Sequence, residues 1–170
     1  MFMRFITLLI CAAVLGGCVL ESKIPIIATD SGEDLLDGYG LTFVSYGLKD
    51  GEWKKDNETF QFVPKGHHYE VSSGGDTMDI AFAKLDGSWW VMQAQEAGKQ
   101  ATYLLVDAQK TELILYPLAC KPLKDAGTFD AFIAFKDDNC LVKDGADTTA
   151  MFKAFAADPG PQTVKIVPKG

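Results

Sequence analysis

Between residues 41 and 117 the chain is a succession of short runs rich in aromatic and β-branched residues. Turn residues close each run, and no apolar stripe of helical length interrupts them. Leu41–Tyr46 is the first run, closed by Gly47-Leu-Lys-Asp-Gly51. Trp53 opens a polar stretch, and Thr59–Val63 is a second run ended by Pro64. His68–Ser72 follows the Lys65-Gly66 turn, and Ser73-Gly-Gly-Asp76 is a further turn. Met78–Leu85 sets Met78, Ile80 and Phe82 against Thr77, Asp79, Ala81 and Ala83, the alternation of a half-buried strand. Asp86-Gly87 is the strongest hairpin signal in the chain and leads into Ser88–Gln95. Ala101–Asp107 and Thr111–Tyr116 complete the set. Strands joined by such short connections pair antiparallel with their neighbours. A meander this long curls, because closure removes exposed edges. The expected fold is therefore mainly β: an antiparallel meander curling into a small barrel or strongly bent sheet, with one short C-terminal helix.

The last third changes character. Cys120 starts what reads as a loop containing Pro122 and Gly127, and Phe129–Phe135 alternates like another strand. A short strand follows at Cys140-Leu-Val142. Asp147 is a good N-cap for a helix over Thr148–Ala157, with Met151, Phe152 and Phe155 on one face. Asp158-Pro-Gly-Pro161 stops that helix, and Thr163–Val167 is a terminal strand.

The amino terminus carries a different kind of information. Arg4 precedes an apolar run from Phe5 to Leu15, and small residues follow. This is the order of a secretory signal peptide, and the run is too short to span a bilayer, which takes ~20 apolar residues. Leu15-Gly16-Gly17-Cys18 resembles the lipobox of bacterial lipoproteins: an aliphatic residue, two small residues, then Cys. The resemblance implies a diacylglycerol thioether on Cys18, cleavage before it, and acylation of the new amino group, so that palmitate-class chains hold the protein to a membrane. Val19, in place of Asp, implies the outer membrane by the sorting pattern of many Gram-negative lipoproteins. The expected organisation is a signal peptide at 1–17, a lipidated N-terminus and tether at 18–38, and a single β-rich domain at 39–170. Residues 19–38 read as the tether because they contain Pro25 and the polar stretch Thr29–Asp34, although the Ile24–Ile27 patch could dock on the domain.

Charge and cysteine usage narrow the compartment and the partners. The formal charge is 16 − 23 = −7, and 15 − 23 = −8 once Arg4 leaves with the signal peptide. An acidic chain with no Lys/Arg cluster is a poor nucleic-acid binder and is repelled by anionic head groups. Membrane attachment must then come from the lipid. Of the four cysteines, Cys11 leaves with the signal peptide and Cys18 takes the lipid. Cys120 and Cys140 remain, and in an oxidising compartment they read as one disulfide. A redox pair or half a metal site is the alternative, with no Cys-x-x-Cys spacing and no nearby His to favour it.

Little in the chain points to catalysis. His67 and His68 are the only imidazoles, and adjacent strand residues face opposite ways, so the two are ill placed to share a metal. The carboxylates Asp76, Asp79, Asp86, Asp107, Asp137 and Asp138 fall mostly in turns. No nucleophile elbow, phosphate-cradling Gly loop or His-Glu-x-x-His is present. No catalytic residue, metal or other cofactor is expected. Trp53, Tyr69, Trp89 and Trp90 are the candidate ligand or partner surface, with core packing as the competing reading. The mature region is similar in plan to small β-rich envelope lipoproteins of unassigned function. Periplasmic lysozyme-inhibitor lipoproteins share the small barrel and disulfide, whereas copper-sensing barrel lipoproteins carry a Cys-x-x-Cys motif that this chain lacks. The leading expectation is a non-enzymatic binding or interaction module facing the periplasm, with another envelope protein as partner. One alternative is a lipocalin-like carrier whose cavity Phe43, Phe62, Phe82, Trp90 and Leu104 would line. A periplasmic enzyme inhibitor is another.

Overall fold

The computed structural model describes residues 18–28, 30–73, 76–162 and 164–170. The signal peptide expected at 1–17 lies outside the described residues, as do Gly74 and Gly75 of the expected turn. The strands are β1 (Glu21–Ser22), β2 (Thr42–Lys49), β3 (Glu52–Pro64), β4 (Tyr69–Ser73), β5 (Asp76–Lys84), β6 (Trp89–Gln95), β7 (Ala101–Ala108), β8 (Leu113–Pro117), β9 (Ile133–Lys136), β10 (Asn139–Val142) and β11 (Val164–Pro168). Two helices, α1 (Cys120–Ala126) and α2 (Thr148–Ala157), lie between them. Strands β2 to β8 pair each with the next, all antiparallel, and β11 fits antiparallel between β8 and β2. The result is a closed eight-stranded antiparallel barrel, as the strand pattern predicts. The terminal strand is what closes it: Val164 stands opposite both Gly47 and Leu115.

The barrel has two cores, one on each side of its wall. Inside, alternate residues of every barrel strand meet: Phe43, Phe60, Phe62, Tyr69, Val71, Met78, Ile80, Phe82, Met92, Leu104, Val106, Leu113, Leu115 and Ile166 are all buried. Outside, the leader, β9, β10 and both helices lie over part of the wall. Tyr103 and Leu105 of β7 are buried there with Leu20, Ile27, Leu123, Ile133, Met151, Phe152 and Phe155. Strand β7 is consequently buried on both faces, and Tyr103, Leu104, Leu105 and Val106 are each 0–1% exposed.

Four local expectations are corrected. Residues 19–38 are not a free tether. Val19 bridges Ala119, Leu20 is fully buried, and β1 is wedged between β7 and β10. Leu20, Ile26 and Ile27 carry enough apolar surface to fold this segment onto the wall. The residues after Cys120 form helix α1, terminated by Gly127 in the left-handed conformation, with Pro122 tolerated in the first turn. The strand read over Phe129–Phe135 starts only at Ile133. Phe129 sits instead in a turn, its ring 4.3 Å from that of Phe155. The polar stretch after Trp53 is part of β3, paired with the end of β2 across a register shift between Val44 and Tyr46. Helix α2 occupies the predicted residues, and the Asp147 carboxylate accepts a 3.0 Å bond from the Ala150 N–H.

Residues 30–40 run across one mouth of the barrel. Leu35 and Leu36 join the inner core, and the Glu33 N–H donates to the Phe82 carbonyl at 2.8 Å. The Glu33 carboxylate accepts from the Lys84 N–H, and Tyr39 donates its hydroxyl to the Gln109 carbonyl. Gly32 is needed on this strap, because a Cβ there would stand 2.0 Å from the His67 carbonyl oxygen. Gly87, in the Asp-Gly turn, has φ 59, as that hairpin requires.

Candidate functional site

The four aromatic candidates do not converge on one surface. Tyr69 is inside the barrel, 5% exposed, and its ring bridges Phe62 at 6.1 Å and Phe82 at 5.9 Å. Phe43 stands 5.3 Å from Phe62 and completes an edge-to-face series. The Tyr69 hydroxyl donates to Asp34 at 3.4 Å, and burial, with the nearby Asp34 charge, pushes its pKa up. Trp90 is also on the inner side, at the strapped mouth, with the Lys84 ammonium 4.9 Å above its ring. Trp89 points outward and packs against Tyr116 at 5.3 Å. Phe43, Phe62, Phe82, Trp90 and Leu104 do all face inward as their alternation predicts, the first three and Leu104 in the inner core and Trp90 packed against it.

Trp53 alone lies on the wall that the outer layer leaves uncovered. It faces Leu48 across the β2–β3 pair, and Leu48 is exposed. The Lys165 ammonium sits 5.1 Å from the Trp53 ring and 5.6 Å from that of Tyr46, and is paired with Glu112 at 2.8 Å. Tyr46, Leu48 and Trp53 thus form an aromatic and aliphatic patch on the β2–β3 hairpin, stiffened by a lysine whose charge is already neutralised.

The mouth opposite the strap holds groups that sequence reasoning missed. Ser45 is 1% exposed and donates to the Asp56 carboxylate at 3.4 Å, with Lys49 at 3.7 Å from the same group. Burial and the Asp56 charge push the Glu58 carboxyl above its ordinary pKa. The signal was the Asp56-Asn-Glu58 interruption in an otherwise strand-like run, which the register shift accommodates.

The histidines separate as expected. The His67 ring meets the Gly32 carbonyl at 3.2 Å, whereas His68 Nε2 lies 3.8 Å from Asp79. Among the described residues, no group of three or more His, Cys, Asp or Glu gathers as a metal site would. Of the carboxylates singled out in turns, Asp86 pairs with Lys153 of α2 at 2.9 Å, and Asp107 accepts from Gln109.

The cysteines give the clearest geometry. Cys120 and Cys140 form a disulfide with Cα atoms 5.4 Å apart, tying the start of α1 to β10. Cys18 is exposed and its thiol is free. Its carbonyl accepts a 2.8 Å bond from the Cys120 N–H, so it stands beside that disulfide. A buried polar network then fastens the residues after it. Tyr103 Oη bonds the Ser22 hydroxyl at 2.6 Å and the Ile26 N–H at 3.0 Å. The Gln93 amide accepts from the Ile27 N–H at 2.8 Å and donates to the Ile27 carbonyl at 2.9 Å. Ser22, Gln93 and Tyr103 are each at most 4% exposed, and all have partners, as buried polar groups must. Among the described residues, no helix is long and apolar enough to cross a membrane. No protein-family model, curated protein or solved structure matches this chain.

Proposed function

We propose that this chain is a lipid-anchored protein of the bacterial envelope, held through Cys18 at the periplasmic face of the outer membrane, and that its barrel is a non-enzymatic interaction module for another envelope protein. The observation that carries the reading is the state of Cys18. The residue that the lipobox resemblance marks for acylation is exposed, free, and followed at once by residues built into the fold. A buried or disulfide-bonded Cys18 would have argued against it. The uncovered hairpin patch of Tyr46, Leu48 and Trp53 is the surface best suited to a protein partner, since aromatic anchors dominate such contacts. The edge-to-face packing of Phe43, Phe62, Tyr69 and Phe82 under Leu35 and Leu36 favours this reading over that of a carrier for an apolar ligand.

Two measurements test it. The full chain expressed in a Gram-negative host should incorporate labelled palmitate and show an acylated Cys18 in the N-terminal peptide, and Cys18→Ser should abolish both. A photo-crosslinking residue at Leu48 should capture one discrete envelope protein in living cells, while the same residue at Ser72 should not. An unlabelled chain, or identical crosslinking from both positions, would reject the corresponding half of the proposal.

A further inference from the structure

The anchoring reading leaves open how far the domain stands from its membrane, and the structure answers in a way the sequence does not. Resting on that reading, we infer that the protein has no tether: the lipid on Cys18 mounts the barrel flush on the bilayer, with the end formed by α1 and the β9–β10 turn against the head groups.

The argument starts from reach. An extended chain spans at most about 3.3–3.6 Å per residue, so a free leader over 19–38 would let the domain stand off by on the order of 70 Å. The folded protein uses none of that length. The Cys18 carbonyl is bonded to the Cys120 N–H, the Val19 backbone bridges Ala119, and the Leu20 N–H and carbonyl are both taken, by Leu118 and Tyr103. Leu20 is 0% exposed, and the next residues form β1. Between the thioether and the rigid body there is thus only the cysteine side chain itself. Releasing the leader would bare Leu20 and Ile27 to water and strip Tyr103 and Gln93 of their bonds to Ser22, Ile26 and Ile27. The docked state therefore prevails.

The surface next to the anchor is set by the same bond. Cys120 also lines a shallow cavity of about 240 Å³, together with Lys121, Lys124, Asp125, Phe135 and the 137–139 turn. Lys121 is paired with Asp125 at 2.6 Å, and Asp137 and Asp138 line the same cavity as the lysines. This mixture of ammonium and carboxylate groups suits a surface of zwitterionic head groups, which present both phosphate and ammonium. It neither needs nor strongly rejects an anionic surface, unlike the net-negative chain as a whole. Strand β3 lies on the opposite side of the barrel from β7, but the β2–β3 turn shares a mouth with the junction of β8 and α1, so the point farthest from the anchored edge is the β3–β4 turn at Lys65, at the other mouth.

The experiment uses the full chain, purified with its lipid and reconstituted in phosphatidylethanolamine vesicles with a minority of phosphatidylglycerol and a nickel-chelating lipid. Intact mass is read first, for the acyl chains. Spin labels are then placed singly at Lys124→Cys and Lys65→Cys, and their relaxation by head-group nickel is compared. A flush mount gives several-fold stronger relaxation at position 124 than at position 65. A long Gly-Ser insertion between Cys18 and Val19 should equalise the two, without change in thermal stability. Acylated protein with equal relaxation at both positions and no response to the insertion would overturn the mount while leaving the anchor intact. A chain with no acyl mass on Cys18 would overturn the anchor and the mount with it.

Discussion

The two walls of this barrel obey different rules. On the covered wall, β7 reads Ala-Thr-Tyr-Leu-Leu-Val-Asp-Ala and buries side chains on both faces. On the uncovered wall, β3 alternates: Phe60 and Phe62 are buried, while Gln61 and Val63 are exposed. Strict alternation marks a strand that faces water on one side, and a continuous apolar run marks one sandwiched between two layers. The inner core is shared by both walls, so its loss must dissolve the whole barrel. The outer core belongs to one wall alone, and its fastenings are a disulfide and a polar network.

Breaking the shared core should have the largest effect. Phe82→Ala removes a fully buried ring that contacts Tyr69 and should cost about 3–5 kcal/mol in urea unfolding. Its fluorescence and circular-dichroism transitions should stay coincident, because both walls depend on it. Replacing Cys120 and Cys140 together by Ser should cost about 3 kcal/mol, as expected for a loop of this length. Here hydrogen exchange should quicken in α1, β1, β9 and β10 while β2–β4 stay protected; uniform loss of protection would erase the distinction between the walls. Tyr103→Phe leaves the ring in place but orphans the Ile26 N–H and removes one of the two bonds of the Ser22 hydroxyl, which keeps the Ile24 carbonyl, for a loss of about 1–3 kcal/mol. Tyr46→Phe, on the uncovered wall, should stay within about 0.5 kcal/mol of the parent in the same assay.

The smallest effect is one of pH. Because burial and Asp56 raise the Glu58 pKa in the folded state, the folded protein holds that proton more tightly than the unfolded chain does. Its favourable contribution is complete below the ordinary glutamate pKa and is lost as pH rises through the raised folded value. Glu58→Gln should therefore melt slightly higher than the parent near neutral pH, and the difference should vanish in acid. A constant offset across that range would mean that Glu58 is not the group responsible.

Much of the barrel was legible because its strands announce themselves locally. Met78, Ile80 and Phe82 alternate with short residues, Asp86-Gly87 dictates a hairpin, and Asp147 dictates a helix start. The candidate surface was much less legible. Tyr69, Trp89, Trp90 and Trp53 look alike in sequence, yet one is in the inner core, one under the outer layer, one at a mouth and one in the open. What divides them is which side of a closed wall each strand position faces and whether another element lies over it.

The sequence by itself determined the succession of strands from β2 to β8 and their antiparallel order, since periodicity and turn chemistry are properties of short stretches, and with the lipobox resemblance it pointed to the pairing of the two late cysteines. The tertiary structure decided the rest. It made the terminal strand the closing member between β2 and β8, because only a closed barrel offers that vacant edge. It turned Phe129 away from a strand toward Phe155. It also folded residues 19–28 onto the wall, because the burial of Leu20 and the partners of Tyr103 and Gln93 exist only once that wall has formed.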